Sequence, residues 1–513
     1  MHQVKHLELY SSVLPEIAPR TLAQAGRFIS KSGGANEESV VNCLNSAFES
    51  AVNMGASDIH LDFDEIDGLE IRIRRAGMLE VLAGKLSPVE SMLAKTKICA
   101  KANLDDNERL VPLDGRMMVF FGDRRVDVRV ALLPTVSGYK MVCRLLDSSN
   151  ANASPDALEI PYLVRETMKR VVSAPEGMVL MSGPVGSGKT TTLYSLLRYL
   201  NNDTRHIVTI ENPVEYAVKS FTQIDVDGNM TFSRAMRASL RLDPDVIMVG
   251  EIRDEESAQI AQKAGTSGHM VLSTLHANSA AETITRLGEF GLQGFSISSV
   301  ISAVIAQRLV RKFGDDCEIK WAPPNEVQQE WLSKRNLYFK EQLFPIITKG
   351  ELSKSKRIPL VELIEITPEI RAVLEGSIHE SNWITQIVNI ASLQPQYETL
   401  AQAGVRIALE GKITLAEVID ATKDSAEIPA KIRWDQVLVL SGQVKVDKME
   451  EVRLQIQQAR AQGVLIELQD QLINSNACST ESILAAMRSP NVHKSHLDPH
   501  LISLPRIPRH STA

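Results

Sequence analysis

The sequence predicts an α/β protein centred on a mainly parallel sheet that helices cover on both faces, and two observations carry that expectation. Short, wholly apolar runs at Met178–Met181, Ile207–Ile210, Val246–Val249 and Met270–Ser273 alternate with helical stretches at Thr190–Leu200, Phe232–Leu240 and Glu255–Ala264. Strands without a polar face must be buried on both sides, and the intervening helices supply the crossovers that parallel pairing requires. The second observation is the Gly-rich segment Gly183–Thr190, lying between the apolar run Gly177–Ser182 and a helix that opens at Lys189. That strand, loop and helix order belongs to doubly wound sheets that bind ligands at their strand ends.

A chain of 513 residues exceeds one compact core, so several domains are expected. Residues 1–36 form a short segment of weak helical period (Leu14, Ile17, Leu22, Ala25) that ends at Ser32-Gly33-Gly34. Residues 37–147 read as an α+β domain. Val40, Val41, Leu44, Ala47, Phe48 and Ala51 share one helix face, and strand-like alternation follows at Ser57–Phe63, Leu69–Arg75, Met117–Phe121 and Arg125–Ala131. A small polar linker is expected within 148–160. The nucleotide-binding core then occupies 161–425, with Phe295–Arg311 read as helix, Lys312–Arg357 as a polar stretch, and Glu362–Ala421 as a helical module. A C-terminal extension, 426–488, is expected to hold the helix pair Lys448–Gln462 and Ile466–Met487, as a docking module or an accessory cap. The Pro- and His-rich tail, 489–513, reads as disordered.

Composition excludes several classes. An apolar fraction of 44% is ordinary for a soluble globular protein, and the net charge of −7 gives no general attraction to nucleic acid. Met1–Tyr10 lacks a secretory signal, and the most apolar window, Phe295–Ile305, is broken by four serines. Five scattered cysteines (Cys43, Cys99, Cys143, Cys317, Cys478) exclude a four-cysteine zinc site and argue against a disulfide framework. A cytoplasmic chain is the expectation.

Gly183-Pro184-Val185-Gly186-Ser187-Gly188-Lys189-Thr190 matches the P-loop pattern at every fixed position. Its glycines let backbone N–H groups cradle phosphate oxygens at a helix N-terminus. Lys189 supplies charge to the β- and γ-phosphates, the Thr190 hydroxyl can ligate Mg²⁺, and Thr191 completes the loop's contact with ATP. A P-loop alone does not decide the reaction. Glu251 follows the run Val246–Val249, Glu211 and Glu215 follow Ile207–Ile210, and His276 follows Val271–Thr274. Three parallel strands that end in polar residues would present them at the same sheet edge as the P-loop.

These blocks carry a family resemblance. Gly183–Arg286 resembles the secretion ATPases of type II secretion and type IV pilus systems. The similar blocks are the P-loop, the acidic box Thr209–Glu215, the Walker B block Leu240–Asp254 and the histidine box Thr266–Asn278. Upstream, Gly55–Leu61, Arg109–Arg116 and Val126–Arg129 extend the likeness, and downstream it runs from Gln307–Val310 to about Ala421. The resemblance implies a RecA-like ATPase core, a preceding PAS-like α+β domain and helical C-terminal modules. It implies that Glu211 activates or positions water, that Glu251 supports Mg²⁺ and that water, and that His276 senses the γ-phosphate. Arg129 and Arg144 match positions that reach across to the nucleotide. Arg234, Arg237 and Arg241 are further candidates for phosphate or intersubunit contact, while His269 is expected in packing or behind the site.

The same resemblance implies a homo-hexamer at the cytoplasmic face of the inner membrane. There it would power pilin extraction through an inner-membrane platform protein, with peripheral membrane association and no direct nucleic-acid contact. A retraction motor, a conjugation-type traffic ATPase and a non-hydrolysing nucleotide-gated scaffold are the alternatives. Three departures stand out: Asn212 replaces a frequent Asp, Cys317 alone occupies a spacer that usually carries two Cys-x-x-Cys pairs, so no zinc is expected, and the chain is extended beyond Ala426.

Overall fold

The computed structural model describes residues 37–489 and 492, apart from 76–77, 106–110, 122–123, 148–153, 203, 216–217, 227–229, 377–382, 426–431 and 463. The segment 1–36, most of the linker and nearly all of the tail therefore lie outside the described residues. The chain divides into two compact units between Ser148 and Ser149.

The first unit holds helix α1 (Glu37–Asn53), strands β1 (Asp58–Asp64), β2 (Gly68–Arg75) and β3 (Met78–Leu86), helix α2 (Pro88–Ala102), and strands β4 (Leu113–Phe121), β5 (Arg124–Thr135) and β6 (Gly138–Asp147). The strands form one sheet in the order β3-β2-β1-β6-β5-β4, antiparallel at each pairing. Sequence alternation located four of these strands but not β3, β6 or α2. Helix α2 carries clear signals all the same. Pro88 stands at its start, Ser87 and Glu90 form a capping box, and Asn103 ends it at φ 57°. Alternate residues of β1 and β2 (Ile59, Leu61, Leu69, Ile71, Ile73) bury against Val40, Leu44, Ala47 and Phe48 of α1 and Ala94 and Ile98 of α2.

The second unit begins with helix α3 (Tyr162–Val172), strand β7 (Gly177–Ser182), helix α4 (Lys189–Leu200), strands β8 (Ile207–Glu211) and β9 (Thr222–Asp225) and helix α5 (Phe232–Ser239). It continues through strand β10 (Val246–Val249), helix α6 (Glu255–Gly265), strand β11 (Met270–Leu275), helices α7 (Ala280–Glu289) and α8 (Gly294–Val300) and strand β12 (Ile301–Phe313). A peripheral lobe follows: β13 (Glu318–Ala322), α9 (Glu326–Lys334) and β14 (Phe344–Lys349). Strand β15 (Leu352–Glu365) then leads into helices α10 (Pro368–Gly376), α11 (Trp383–Ala391), α12 (Leu400–Leu409) and α13 (Leu415–Ala421). The extension adds α14 (Trp434–Leu440), α15 (Val446–Ala461), α16 (Leu468–Asn474) and α17 (Thr480–Met487).

Seven strands make the central sheet, in the order β15-β12-β7-β11-β10-β8-β9, parallel except for the pair β12 and β15. Every residue of β7, β8, β10 and β11 is buried. Met178 and Leu180 enter one apolar cluster while Val179 and Met181 enter the other, the two-residue alternation of a sheet covered on both sides.

Four expectations are corrected. Phe295–Arg311 is not a continuous helix: it turns after Val300 into β12, which lies beside the P-loop strand. Ile301, Val304, Ile305 and Val310 are β-branched and suit a strand, but the serines before them imitate a helical period. The stretch Lys312–Arg357 is folded rather than merely polar. Its two-stranded sheet and α9 place Leu332, Leu337 and Phe344 in the main core, and the Cys317 thiol donates to the Glu351 carbonyl at 2.8 Å. Glu362 lies on β15 rather than a helix, and Ile466–Met487 forms two helices, broken at Ser475–Ser479. Residues of the extension, among them Trp434, Leu438, Leu440, Met449, Val452 and Ile483, join the core cluster of the nucleotide-binding sheet. Among the described residues no helix is long and apolar enough to cross a membrane.

Glu362, on β15, is a buried carboxylate of the core, and only 4% of it is exposed. It accepts hydrogen bonds from the N–H groups of Ala280 and Leu400, which open α7 and α12, and from the Tyr397 hydroxyl at 3.3 Å. Burial nonetheless pushes its pKa up to about 7, against these bonds and the field of Arg308. A carboxyl raised on folding contributes stability that is present below the ordinary carboxylate range and is lost as pH rises through 7. Glu362→Gln, which keeps the shape without ionising, is expected to remove on the order of 3 kcal/mol of stability loss between about pH 5 and about pH 8. Thermal unfolding across that range checks this, and parallel pH profiles for wild type and variant would contradict it.

Candidate functional site

The P-loop joins β7 to α4 at the carboxyl edge of the sheet. Gly183 adopts φ 147° and Gly188 φ 85°, conformations open to glycine. A Cβ on Gly183 would lie 2.4 Å from the Gln307 carbonyl oxygen, and one on Gly188 would lie 2.8 Å from the Gln307 side-chain nitrogen. The loop is therefore pressed against β12. Gln307 Nε2 donates to the Ser187 carbonyl at 2.8 Å, and Thr192 Oγ1 of α4 donates to Gln307 Oε1 at 2.9 Å. One buried amide thus ties the loop to the helix it opens.

Lys189 Nζ donates to the carbonyls of Gly183 (2.7 Å) and Pro184 (3.0 Å). Burial and the neighbouring Arg308 guanidinium hold its pKa below the ordinary lysine value, while Glu251 and Glu215 pull it back. Pro184, Val185 and Gly186 at the loop's tip are exposed, and Thr190 and Thr191 are half-buried in the first turn of α4. Ser187 is buried, yet its hydroxyl has no protein hydrogen-bond partner. An orphaned hydroxyl in a glycine cradle at a helix N-terminus, with a lysine held low, fits a polyphosphate. Thr190 and Glu251 are oxygen donors of the kind Mg²⁺ takes.

Glu251 follows β10 after Gly250. Its carboxylate pairs with Arg253, whose guanidinium lies over the Phe232 ring at 5.5 Å, and His276 Nε2 lies 3.7 Å from its other oxygen. These residues gather at the P-loop edge, as the strand ends predict.

Glu211 is placed differently. Only 4% exposed, it accepts from the Tyr194 hydroxyl at 2.8 Å to each oxygen and from Thr209 Oγ1 at 2.7 Å, with Gln223 Nε2 at 3.4 Å. Burial raises its pKa against those bonds, and desolvation pushes the Tyr194 phenol far above its ordinary range. Glu215, half-buried, is the acidic-box carboxylate whose field reaches Lys189.

Five arginines and His269 are the remaining candidates. Arg234, Arg237 and Arg241 are exposed on and just after α5, and Arg237 pairs with Glu256 of α6. His269 precedes β11 at the opposite sheet edge, where its carbonyl accepts from Gly177 N at 3.2 Å and its Nδ1 lies 3.1 Å from the Ala264 carbonyl. In the first unit, Arg129 of β5 stands opposite Arg144 of β6, and Arg144 Nε donates to Asp58 Oδ1 at 3.0 Å while its side chain stays 63% exposed.

Sequence reasoning gave no role to Gln307, Arg308 or Tyr194. Arg308, 5% exposed, donates to the Asn278 carbonyl at 3.0 Å and the Gln307 carbonyl at 3.1 Å. The signal was present in the Gln307–Val310 block, but reading it as helix pointed these side chains away from the P-loop.

A family profile described as "Type II/IV secretion system protein" matches residues 34–420. The type II secretion system ATPase E of Vibrio cholerae is 41% identical over 397 residues, covering 75% of this chain and 76% of its own. The type IV pilus assembly ATPase PilB of Pseudomonas aeruginosa is 38% identical over 400 residues, covering 77% and 69%. The putative type II secretion system protein E of Escherichia coli K12 is 35% identical over 409 residues, covering 77% and 80%. Among solved structures, the pilus retraction motor PilT with bound ADP aligns at TM-score 0.55 and 25% identity, over 74% of this chain and 97% of that one. The Legionella pneumophila ATPase DotB, at 0.54 and 21% over 73% and 94%, shares the RecA-like fold. With its P-loop, its strand-end glutamate and histidine, and a profile match across three quarters of its length, the chain belongs to the Type II/IV secretion system protein family, as an ATP-hydrolysing ATPase of the type II secretion and type IV pilus assembly group.

Proposed function

We propose that the protein is a hexameric ring ATPase that works at the cytoplasmic face of the inner membrane. It hydrolyses Mg-ATP to drive pilin or pseudopilin extraction through an inner-membrane platform protein. The observation that supports this most is the meeting of Lys189, Glu251 and His276 at one sheet edge beside a glycine cradle with an orphaned hydroxyl.

ATP's phosphates lie along the loop N–H groups from Gly183 to Thr190, and Lys189 leaves its two carbonyls to meet the β- and γ-oxygens. Mg²⁺, when bound, neutralises developing charge on those oxygens, with Thr190 and Glu251 as the residues to hold it. Glu251 is the carboxylate assigned to the attacking water. Glu211 would first have to surrender the Tyr194 and Thr209 hydroxyls, so its role is to hold Tyr194, and through it α4, in place. His276 faces the γ-phosphate, and Glu215 adjusts the charge around Lys189.

Arg129 and Arg144 are assigned to phosphate contact, as the family resemblance implies. A guanidinium keeps its charge at cellular pH and meets phosphate oxygens in a planar fork, so Arg144 could exchange Asp58 for phosphate. Arg234, Arg237 and Arg241 are assigned to phosphate or intersubunit contacts.

Two outcomes test the site. Lys189→Ala is expected to lose nucleotide binding, while Glu251→Gln retains binding but loses turnover by about a hundredfold or more. Nucleotide titration beside steady-state hydrolysis separates the two, and an unchanged rate in either variant would sink the assignment. Gln307→Ala frees the P-loop from α4 and is expected to raise KM for Mg-ATP about tenfold, the worth of a buried hydrogen-bonded amide. A KM equal to wild type would contradict the clamp.

A further inference from the structure

The C-terminal extension lies beyond the family match, which ends at residue 420, yet its polar groups lead back to the segment that carries His276. Arg433, 5% exposed, opens α14 and spends its guanidinium on three backbone carbonyls of the turn before α12: Gln394 (2.7 Å), Pro395 (3.0 Å) and Tyr397 (3.2 Å). Gln436 Nε2 adds a second donor to the Tyr397 carbonyl at 3.0 Å. Arg433 Nε donates to Asp435 Oδ1 at 3.1 Å, and Asp435 also pairs with Arg453 of α15, so the guanidinium is fixed from both sides.

Tyr397, 1% exposed, is thereby pinned at its backbone by the extension, and its hydroxyl reaches Glu362 at 3.3 Å. Glu362 in turn accepts from the N–H of Ala280, four residues after His276. Between them, the Asn278 carbonyl takes hydrogen bonds from Arg308 at 3.0 Å and from the Ser425 hydroxyl at 3.2 Å. Arg308 stands opposite Leu360 on the strand that also bears Glu362, so both side chains project from one face of the sheet. The His276–Ala280 segment is thus held at Asn278 by Arg308 and Ser425, and at Ala280 by Glu362, which Tyr397 links to the extension.

We propose that Tyr397 and Glu362 are positioning residues for hydrolysis, through which helices α14 and α15 set the placement of His276. A partner that shifts these helices would then change turnover without touching the nucleotide. Fully buried polar groups with several partners have few alternative arrangements, so a displacement at Arg433 is passed on rather than absorbed by solvent. The inference rests on reading His276 as the residue facing the γ-phosphate.

The experiment uses the intact chain with Mg-ATP and measures kcat, KM and thermal midpoint for Tyr397→Phe, Arg433→Lys, the double variant and, as a control, His276→Ala. Tyr397→Phe removes one hydroxyl and keeps the ring in the core. It is expected to lower kcat about fivefold with KM within about twofold of wild type. Arg433→Lys keeps the charge but loses the planar fork that spans three carbonyls, and is expected to act in the same direction. The double variant is expected to be no slower than the slower single variant, because both act on one connection. Should Arg433→Lys fail to fold, Tyr397→Phe alone decides. If His276→Ala is inactive while Tyr397→Phe keeps wild-type kcat, or if the two effects multiply, the inference is overturned. If His276→Ala itself keeps wild-type turnover, the reading of His276 fails instead.

Discussion

The Gln307 side chain is the interaction on which the rest of this molecule depends. Its amide bridges the Ser187 carbonyl of the P-loop and the Thr192 hydroxyl of α4, while its backbone lies where any Cβ on Gly183 would intrude. A P-loop needs its N–H groups turned inward before phosphate arrives, and a loop rich in glycine loses more conformational entropy on ordering than any other. A buried, doubly bonded amide from a neighbouring strand offsets that cost. Strand β12 then continues into Arg308, which carries positive charge towards Lys189 on one side and ties the Asn278 carbonyl on the other.

The nucleotide site therefore has two supports of different character. The glycine cradle, Lys189, Glu251 and His276 belong to strand ends and can be inferred from spacing alone. The second support, β12 with β15 and the helices after it, determines how firmly the first is held. Glu362 joins the two because α7 and α12 both present their opening N–H groups to it. A carboxylate at two helix N-termini is favoured by both dipoles, which explains how a buried acid can be kept there at all.

Legibility in the sequence followed burial. The parallel strands were readable because they are apolar on both faces, and the P-loop because its glycines and lysine have few other uses together. Glu251 and His276 followed from strand ends. What stayed hidden depended on long-range pairing. Ile301–Phe313 pairs with β7 and β15, neither of which is near it in sequence, and its local serines favour a helical reading. Tyr194 looked like an ordinary helix residue, although its hydroxyl takes both oxygens of Glu211 and so changes which acidic residue is available to water. The extension gave a visible helical period, but nothing in that period announced that Trp434, Leu438 and Met449 would enter the ATPase core, or that Arg433 would be buried there. Burial of an arginine with carbonyl partners on another element cannot be read from spacing.

The central claim is that nucleotide at the P-loop is felt along β12 and into the helices beyond residue 420. Amide hydrogen exchange on the intact protein, with and without a non-hydrolysable Mg-ATP analogue, tests this directly. The account predicts slowed exchange at Gly183–Thr190 together with His276–Ala280, Gln394–Leu400 and Trp434–Leu440. Protection confined to the P-loop and the strand ends around it, with Gln394–Leu400 and Trp434–Leu440 unchanged, would contradict it.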